Sequence, residues 1–339
     1  MQSQLVDKLN RHFDYLRISI TDKCNFRCKY CMPKENFGRD YQFLKRDSLL
    51  TFEEIIRVVQ ILEPVGLKKI RLTGGEPLLR KNIENLVKGI KSCSHIQKIS
   101  MTTNGSLFDE NIANKLKDSG LDEITISLDS LNKKTLQYLN SSNIHYKKVM
   151  NAIDLAIQYF GFVKINMVVV KGINDSEIIS MVDTFRDSNI QLRFIEYMDV
   201  GETNDWDKTR VVTSNEIIKI IQKKHSIIKI NQEKNSTSEK WKFTDDLGEL
   251  GFISSISKPF CSNCVRGRLS ADGKFYKCLF STSGYDLRSL LRNETDDEEV
   301  LNSFKSLWIN RDDRYSELRH FDKADKNKIN KIEMSYIGG

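Results

Sequence analysis

The chain has 339 residues, a formal net charge of +7 and 39% hydrophobic residues, which is enough apolar sequence for a substantial core. No apolar run reaches the roughly 18 residues that a membrane helix needs, and the polar N-terminal stretch lacks the features of a secretory signal. Its basic residues form no long block and match no nucleic-acid-binding motif, so we expect a cytoplasmic protein without membrane or nucleic-acid partners.

The first two thirds of the chain alternate between strand and helix patterns. Strands, with the turns that follow them, are predicted at residues 15–21, 68–77, 97–105, 122–130, 162–172 and 190–201. Helices are predicted between them at residues 50–62, 82–91, 109–120, 146–161 and 176–189. Thr51 and Glu54 have the spacing of a capping box, and Gly120 stands where a helix C-terminus favours glycine. Six such units predict an α/β fold, an incomplete (β/α)6 TIM-like barrel with parallel strands.

The pattern changes after about residue 210. Helices are predicted at residues 213–224, 286–293 and 297–311, a polar loop at 231–240 and a strand at 248–257. We therefore divide the chain into a partial barrel, residues 1–210, and a C-terminal extension, residues 211–339, that completes the active site. Since barrels of this kind carry their chemistry at the C-terminal ends of the strands, the polar motifs that follow five strands predict one shared site.

Three cysteines, Cys24, Cys28 and Cys31, follow the first predicted strand with C-x3-C-x2-C spacing. Tetrahedral zinc would need a fourth ligand, and no histidine lies close after Cys31. A set of redox-active thiols is another interpretation. A third interpretation is a cubane iron–sulfur cluster held by three thiolates, with one iron open to another ligand.

The stretch "CNFRCKYC", with Tyr30 before its third cysteine, resembles the signature of the radical S-adenosylmethionine (SAM) superfamily. That resemblance implies a [4Fe–4S] cluster whose open iron chelates SAM and whose electron breaks a carbon–sulfur bond to release a 5′-deoxyadenosyl radical. The segment "GGEP", with Gly75 and Glu76, resembles the family segment that meets the SAM amino group, although a Gly-Gly turn alone is ordinary. By the same resemblance, further SAM contacts are Thr102, Ser127 and Met198.

A second trio, Cys261, Cys264 and Cys278, has C-x2-C-x13-C spacing and again lacks a fourth ligand nearby. It predicts a second cluster with an open iron; zinc with a distant or water ligand is the alternative. Arg266 and Arg268 alternate on a predicted strand and would point to the same face, where guanidinium groups suit phosphate. The remaining cysteine, Cys93, is expected to be a small buried side chain without a role.

Both trios, the run "RGRLSADGKFYKCLF" and the terminal Gly-Gly together resemble the GTP 3′,8-cyclase family, which begins molybdenum cofactor biosynthesis. The resemblance extends over essentially the whole chain and implies two [4Fe–4S] clusters, SAM, and GTP with its guanine at the second open iron. The basic residues that it assigns to GTP are Arg17, Arg71, Lys164, Arg193, Arg266 and Arg268.

The reaction that this resemblance implies begins with hydrogen abstraction from ribose C3′ by the adenosyl radical. The carbon radical then attacks guanine C8, and one electron and one proton complete the product. Arg71 is our candidate for the proton donor. Gly338 and Gly339 are expected to project into the active site and support turnover, whereas in sulfur-carrier proteins a terminal Gly-Gly ends a small single domain.

Two other classes of function remain as alternatives. One is a radical SAM peptide-modifying enzyme with an auxiliary cluster, and the other is an iron–sulfur or zinc sensor without catalysis. The expected partners of the cyclase are GTP, an electron donor of unknown identity and a downstream enzyme that takes the cyclic product. A homodimer is expected by family analogy alone.

Overall fold

The protein is described from a computed structural model that covers residues 5–141, 146–231, 235–293, 295–319 and 331–339. In this part of the chain the strands are β1 Tyr15–Ser19, β2 Lys69–Thr73, β3 Lys98–Thr103, β4 Glu123–Ser127, β5 Val163–Val169, β6 Ile190–Glu196, β7 Ile227–Lys229, β8 Glu239–Phe243, β9 Glu249–Ile253, β10 Arg266–Leu269, β11 Lys274–Tyr276 and β12 Tyr285–Asp286. The α-helices are α1 Phe52–Leu62, α2 Ile83–Lys91, α3 Glu110–Asp118, α4 Lys133–Asn140, α5 Tyr146–Phe160, α6 Ile178–Phe185, α7 Ser214–Gln222, α8 Leu287–Arg292, α9 Asp297–Ile309, α10 Tyr315–Leu318 and α11 Met334–Ile337.

All of these strands belong to one sheet, in the order β12-β11-β10-β1-β2-β3-β4-β5-β6-β9-β8-β7. The six predicted strands, β1 to β6, are parallel neighbours with helices between them, as the alternating pattern predicts. The structure adds a parallel strand at each side, because β10 pairs with β1 and β9 pairs with β6. Antiparallel hairpins then end the sheet on both sides, so the described strands form an open, incomplete barrel.

Alternation along each strand separates an apolar face from a polar one. In β1, Leu16 and Ile18 are fully buried in the core, whereas Tyr15 and Arg17 line the interior cavity. The other parallel strands follow the same rule, and helices cover the apolar face. Because residues of period two share a face, each strand can contribute both to the core and to the site.

Local signals explain where several helices begin and end. Thr51 accepts a hydrogen bond from the Glu54 amide, and the Glu54 carboxylate accepts one from the Thr51 amide at 2.7 Å, so the predicted capping box is present. After α3, Gly120 has a φ of +92°, in the left-handed region that glycine adopts readily.

The C-terminal region packs directly on the barrel. Phe13, just before β1, contacts Phe304 and Trp308 of α9, with ring centroids 4.7 and 4.8 Å apart. Both aromatic side chains of α9 are fully buried. The extension predicted at residues 211–339 thus shares a sheet and a core with the preceding strands.

The sequence patterns missed α4, α10 and α11 and the strands β7, β8, β11 and β12. Helix α4 lies in a polar segment, and β7 and β8 form a short edge hairpin whose second strand begins inside the predicted loop at residues 231–240. Residues 232–234 of that loop lie outside the described part of the chain. Among the helices described, none is long and apolar enough to cross a bilayer.

Candidate active site

A cavity of about 430 Å³ occupies the interior of the open barrel. Its walls are the inward-facing residues of β1 to β6 and β10 together with the loops that follow the strands. All six cysteines of the two trios line it. Every residue predicted for SAM or substrate binding also lines it: Tyr30, Gly75, Glu76, Thr102, Ser127, Met198, Arg17, Arg71, Lys164, Arg193, Arg266 and Arg268.

The first trio lies on the loop after β1. The Cys28 carbonyl accepts hydrogen bonds from the amides of Cys31 and Met32, at 2.9 and 2.8 Å, so the chain turns tightly between the second and third thiols. All three thiols are partly buried. Burial, assisted by the charge of Glu76, raises the pKa of Cys24 to about 11, and burial also raises the pKa of Cys31.

Such thiols fit an iron cluster in two respects. In the described part of the chain, burial outweighs the effect of neighbouring positive charges on these thiols, and a bound metal would supply the charge that ionises them. Among the described residues, no group of three or more His, Cys, Asp or Glu side chains could hold a metal ion between them. In a cubane each thiolate binds a different iron, so a trio that forms no site for a single ion with other described residues can still hold a cluster.

The "GGEP" turn, after β2, packs against the loop that carries the first trio. The amides of Gly75 and Glu76 donate to the carbonyls of Thr21 and Lys23, both at 2.8 Å. A Cβ on Gly75 would lie 2.2 Å from the Lys23 carbonyl oxygen, so only glycine fits between the two loops. This contact fixes the turn beside the first trio.

Two carboxylates organise the neighbouring strand ends. Glu76 is 1% exposed and accepts hydrogen bonds from Thr103 Oγ1 at 2.6 Å and from the Asn104 amide at 2.7 Å. Burial outweighs these donors and raises the pKa of Glu76 to about 7. Asp129 accepts a hydrogen bond from the Tyr30 hydroxyl at 2.7 Å, which holds the aromatic residue of the cysteine motif against the end of β4.

A cluster of cations lines the strand walls of the cavity. Arg71 is 7% exposed and donates to Tyr15 Oη at 2.6 Å, to Thr102 Oγ1 at 2.9 Å and to Glu123 Oε1 at 3.1 Å. Lys164 Nζ lies 2.5 Å from the other Glu123 oxygen. One buried carboxylate therefore anchors two of the predicted substrate ligands.

The electrostatics of this cluster reflect an excess of positive charge. Burial lowers the pKa of Lys164 to about 8, although Glu123 opposes the shift, and burial lowers the pKa of Arg193 to about 9. Burial also lowers the pKa of Arg17 to about 10, with contributions from the charges of Arg266 and Arg71. Arg17 Nε is buried without a hydrogen-bond partner in the described part of the chain. The positive charge of the cavity therefore exceeds the negative charge of its own residues, and an anionic ligand would compensate the excess.

The second trio lies on the loops before β10 and after β11, and β10 pairs directly with β1. The Cys264 amide donates to the Cys261 carbonyl at 3.1 Å, which closes a short 3-10 turn. Burial would raise the pKa of the Cys264 thiol, but the charges of Arg266 and Arg311 outweigh it and lower the pKa to about 6. Burial raises the pKa of Cys278 to about 11. Arg266 and Arg268 occupy alternate positions of β10 and both line the cavity, as the sequence predicts.

The C-terminal tail enters the same cavity. Gly339 lines its wall, and the buried Gly338 offers its carbonyl to Arg268 Nη1 without itself forming part of the lining. Gly338 has a φ of +77°, and a Cβ there would lie 2.4 Å from Thr73 Cγ2. The tail is anchored upstream, where the Glu333 carboxylate accepts a hydrogen bond from the Glu202 amide at 3.0 Å.

Sequence reasoning missed the acidic and neutral groups that hold the cations. Glu123, Thr125 and Ser127 share one face of β4, so the period of two could have placed Glu123 beside the predicted Ser127. Asn166, which accepts a hydrogen bond from Arg193 Nε at 2.9 Å, follows Lys164 in the same way. Cys93 is buried, as predicted, and does not line the cavity.

Comparison with protein families gives two matches along the chain. The family model described as the radical SAM superfamily matches residues 18–185, and the model described as Molybdenum Cofactor Synthesis C matches residues 190–317. The first match ends with α6, and the second begins at the first residue of β6.

Curated relatives match the whole chain. Proteins named GTP 3′,8-cyclase from Staphylococcus haemolyticus (strain JCSC1435), Staphylococcus saprophyticus subsp. saprophyticus and Staphylococcus aureus (strain MRSA252) are 46%, 44% and 43% identical to it over 341 aligned residues. Each alignment covers 100% of both chains.

Solved structures show the same fold at lower sequence identity. Streptococcus suis SuiB bound to S-adenosylmethionine has a TM-score of 0.61 and 16% identity, and covers 96% of this chain and 79% of its own. SuiB bound to precursor peptide SuiA has a TM-score of 0.63 and 15% identity, and covers 96% and 76%. These likenesses concern the fold alone.

Proposed function

This chain belongs to the GTP 3′,8-cyclase family of the radical SAM superfamily, and we propose that the cavity described above carries out the cyclisation of GTP. The protein is a radical SAM lyase that joins ribose C3′ to guanine C8, the first step of molybdenum cofactor biosynthesis. The observation that carries the proposal is the arrangement of both cysteine trios and the cation cluster around one cavity.

The radical SAM family implies a [4Fe–4S] cluster and SAM, and we assign both to the cavity end that carries Cys24, Cys28 and Cys31. When bound, they supply the 5′-deoxyadenosyl radical that the reaction requires. The chain's own part is to hold this end in shape. Gly75 brings the "GGEP" turn against the cysteine loop, and Tyr30 is fixed by Asp129.

We also propose that Cys261, Cys264 and Cys278 bind a second [4Fe–4S] cluster. In support, these thiols line the same cavity as the first trio, and the cations near Cys264 favour its thiolate form. Three cysteines leave one coordination position for a substrate atom, which is how we propose that the guanine is held.

The cation cluster is proposed to bind the triphosphate. Arg17, Arg266 and Arg268 come from neighbouring strands, with Arg17 directly opposite Arg268 in the β1–β10 register. Guanidinium groups match phosphate oxygens in geometry and charge. Holding the two reacting carbons close together and excluding water from them would be the main protein contribution to such a ring closure.

The environment of Arg71 bears on its proposed catalytic role. Burial opposes its charge, but the charges of Tyr15 and Glu123 outweigh burial and raise the pKa of Arg71. A guanidinium so stabilised is better suited to binding substrate than to giving up a proton. Lys164, whose pKa of about 8 is closer to neutrality, is the better-matched proton donor.

The alternative of a peptide-modifying enzyme is less well supported. The SuiB structures show that a protein that binds S-adenosylmethionine and a precursor peptide has this fold, but their identity to this chain is only 15–16%. Fold likeness at that level does not transfer a substrate. The full-length relatives at 43–46% identity are named GTP 3′,8-cyclase, and the cluster of cavity cations suits a nucleoside triphosphate.

The cellular setting completes the proposal. We expect a homodimer in the cytoplasm, an electron donor whose identity is open, and a downstream enzyme that consumes the cyclic product. These expectations come from the family resemblance and from a cysteine pattern suited to metal ligands in a reducing compartment.

Anaerobic reconstitution tests the proposed activity. Protein reconstituted with iron and sulfide is given SAM, a reductant and either GTP or a cysteine-containing peptide, and 5′-deoxyadenosine is measured. If the protein is a cyclase, 5′-deoxyadenosine should form in an amount equal to the GTP consumed, and a Cys24→Ala variant should form none. SAM cleavage that responds to peptide and not to GTP would favour the alternative.

A further inference from the structure

Behind the second cysteine trio lies a buried ionic cluster that the proposed reaction does not use. It consists of Asp7, Arg11 and Arg311, whose side chains are at most 1% exposed. Asp7 Oδ2 lies 2.6 Å from Arg11 Nε and 3.2 Å from Arg311 Nη1. One carboxylate thus joins two guanidinium groups from opposite ends of the chain.

Each arginine also binds the backbone of the trio. Arg11 Nη1 donates to the Cys261 carbonyl at 2.8 Å, and Arg311 Nη1 donates to the Cys264 carbonyl at 2.7 Å. Arg311 Nε donates to the carbonyl of Lys277, the residue before Cys278, at 3.0 Å. The two side chains therefore hold the peptide groups at all three cysteine positions.

The cluster is itself held rigidly. The Arg311 guanidinium lies over the Trp308 ring, 4.5 Å from its centroid, and Trp308 Nε1 donates to the Arg11 carbonyl at 3.2 Å. The Asp7 carboxylate is further fixed because Oδ1 accepts from the amides of Leu9 and Arg11, both at 2.9 Å. Few rotamers are then open to either arginine, and planar guanidinium forks fix the direction of every hydrogen bond they make.

Burying three charged side chains costs free energy unless their ion pairs and hydrogen bonds compensate for lost hydration. Well-packed apolar side chains in the same place can make a protein as stable. Stability alone therefore gives a weak reason for this arrangement. The carbonyl contacts give a more specific one, because two cations balanced by one carboxylate leave net positive charge next to the loops that carry Cys261 and Cys264. Positive charge there suits thiolates and the iron cluster that they would hold.

We infer that Arg11 and Arg311, oriented by Asp7, are positioning residues that set the three cysteine backbones for the second cluster. The inference rests on the proposed second cluster. Neither arginine lines the cavity, so each acts through the cysteine loops rather than on a substrate.

The test uses the full chain with Cys24, Cys28 and Cys31 replaced by alanine, so that iron can bind as a cluster only at the second trio. In this background, Arg311→Met, Arg311→Lys and Arg11→Met are reconstituted anaerobically. The matched control is Arg57→Met, because Arg57 also binds one carboxylate, Asp297, and two backbone carbonyls, of Leu291 and Thr295, on another part of the barrel. Circular dichroism and thermal melting verify folding.

The readouts are iron and sulfide per chain, the rate of iron release to a chelator, and the reduction potential of the cluster. We expect Arg311→Met and Arg11→Met to release iron at least about tenfold faster than their parent. A change of about tenfold is the lower end of the effects seen when groups that orient metal ligands are removed. The potential of Arg311→Met should become more negative, because a nearby positive charge is lost. Arg311→Lys, which keeps the charge but lacks the fork, should retain the potential and still release iron faster. Arg57→Met should match its parent in all three readouts.

Two results would count against the account, and they are distinguishable. If the parent triple variant binds no cluster, the second cluster itself is wrong, and the positioning role falls with it. If the parent binds a cluster and the folded Arg311 and Arg11 variants match it in iron release and potential, the cluster stands and the positioning role is refuted.

Discussion

Replacing Arg17 with methionine should weaken GTP binding without destabilising the protein. Arg17 lies opposite Arg268 across the β1–β10 pair, and its Nε has no partner among the described residues. Strands are about 5 Å apart, so the two charges are roughly 5 to 8 Å from each other. At an effective dielectric constant of about 20, their repulsion is about 2 to 3 kcal/mol. Methionine removes this repulsion and keeps most of the packing of the arginine stem.

Arg71→Met is the contrasting variant. Arg71 makes hydrogen bonds to Tyr15, Thr102 and Glu123, and removing it leaves Glu123 with less compensation in a buried place. Lys98 and Lys164 still pair with that carboxylate, so the expected loss of stability is about 2 to 4 kcal/mol, toward the low end for broken buried ion pairs. Arg17→Met, in contrast, should keep or increase the free energy of unfolding, because the lost repulsion of about 2 to 3 kcal/mol is only partly offset by the lost attraction to Tyr15.

The assay combines two measurements on anaerobically reconstituted proteins of equal iron content. Urea denaturation gives the free energy of unfolding without GTP, and equilibrium dialysis gives GTP affinity. Both variants should lose about 2 to 4 kcal/mol of GTP binding, or roughly 30- to 1,000-fold. The reasoning would be refuted if Arg17→Met were destabilised by as much as Arg71→Met, or if it bound GTP as the parent does.

Three further predictions concern pH, the tail and the SAM end of the cavity. Because burial lowers the pKa of Lys164 to about 8, the side chain is cationic below that pH and neutral above it, so GTP affinity should fall between pH 7 and pH 9. Lys164→Met should bind GTP more weakly than the parent at pH 7, and its GTP affinity should lack the decrease that the titration of Lys164 causes. An identical pH profile in both proteins would contradict the role of Lys164 in GTP binding. Gly338→Ala, whose Cβ would meet Thr73, should lower turnover about a hundredfold with SAM binding retained. The control is Gly172→Ala, which has a similar φ of +74° and open space around it; equal turnover in the two variants would exclude the tail. Gly75→Ala, which forces a Cβ against Lys23, should weaken SAM binding while GTP affinity stays within about twofold, and unchanged SAM affinity would count against the turn as part of that site.

The parallel core of the fold could be predicted from sequence because its signals are local and periodic. Strands β1 to β6 carry apolar residues at alternate positions, and helices such as α1 carry both a cap and an apolar face. The pairing of β10 with β1 could not be predicted, because it joins residues about 250 positions apart and no local pattern specifies a partner strand. Helix α4 and the β7–β8 hairpin are short and polar, so their patterns are too weak to identify.

The candidate site was predictable to a similar degree. Cysteine spacing and strand-end motifs marked residues that the structure places around one cavity. The groups that support them were not evident, because Glu123 or Arg311 becomes meaningful only when its neighbours in space are known. Charged residues of this kind are common at surfaces, and burial alone distinguishes them.

The central claim is that the adenosyl radical generated at the first cysteine trio acts on the ribose of a GTP molecule bound in the same cavity. The most direct measurement uses GTP deuterated at C3′, with mass analysis of the 5′-deoxyadenosine formed by the reconstituted protein. The account predicts that one deuterium appears in 5′-deoxyadenosine and that the nucleotide product loses it. Deuterium that remains in the nucleotide, with 5′-deoxyadenosine formed at the same rate in the absence of GTP, would contradict the account.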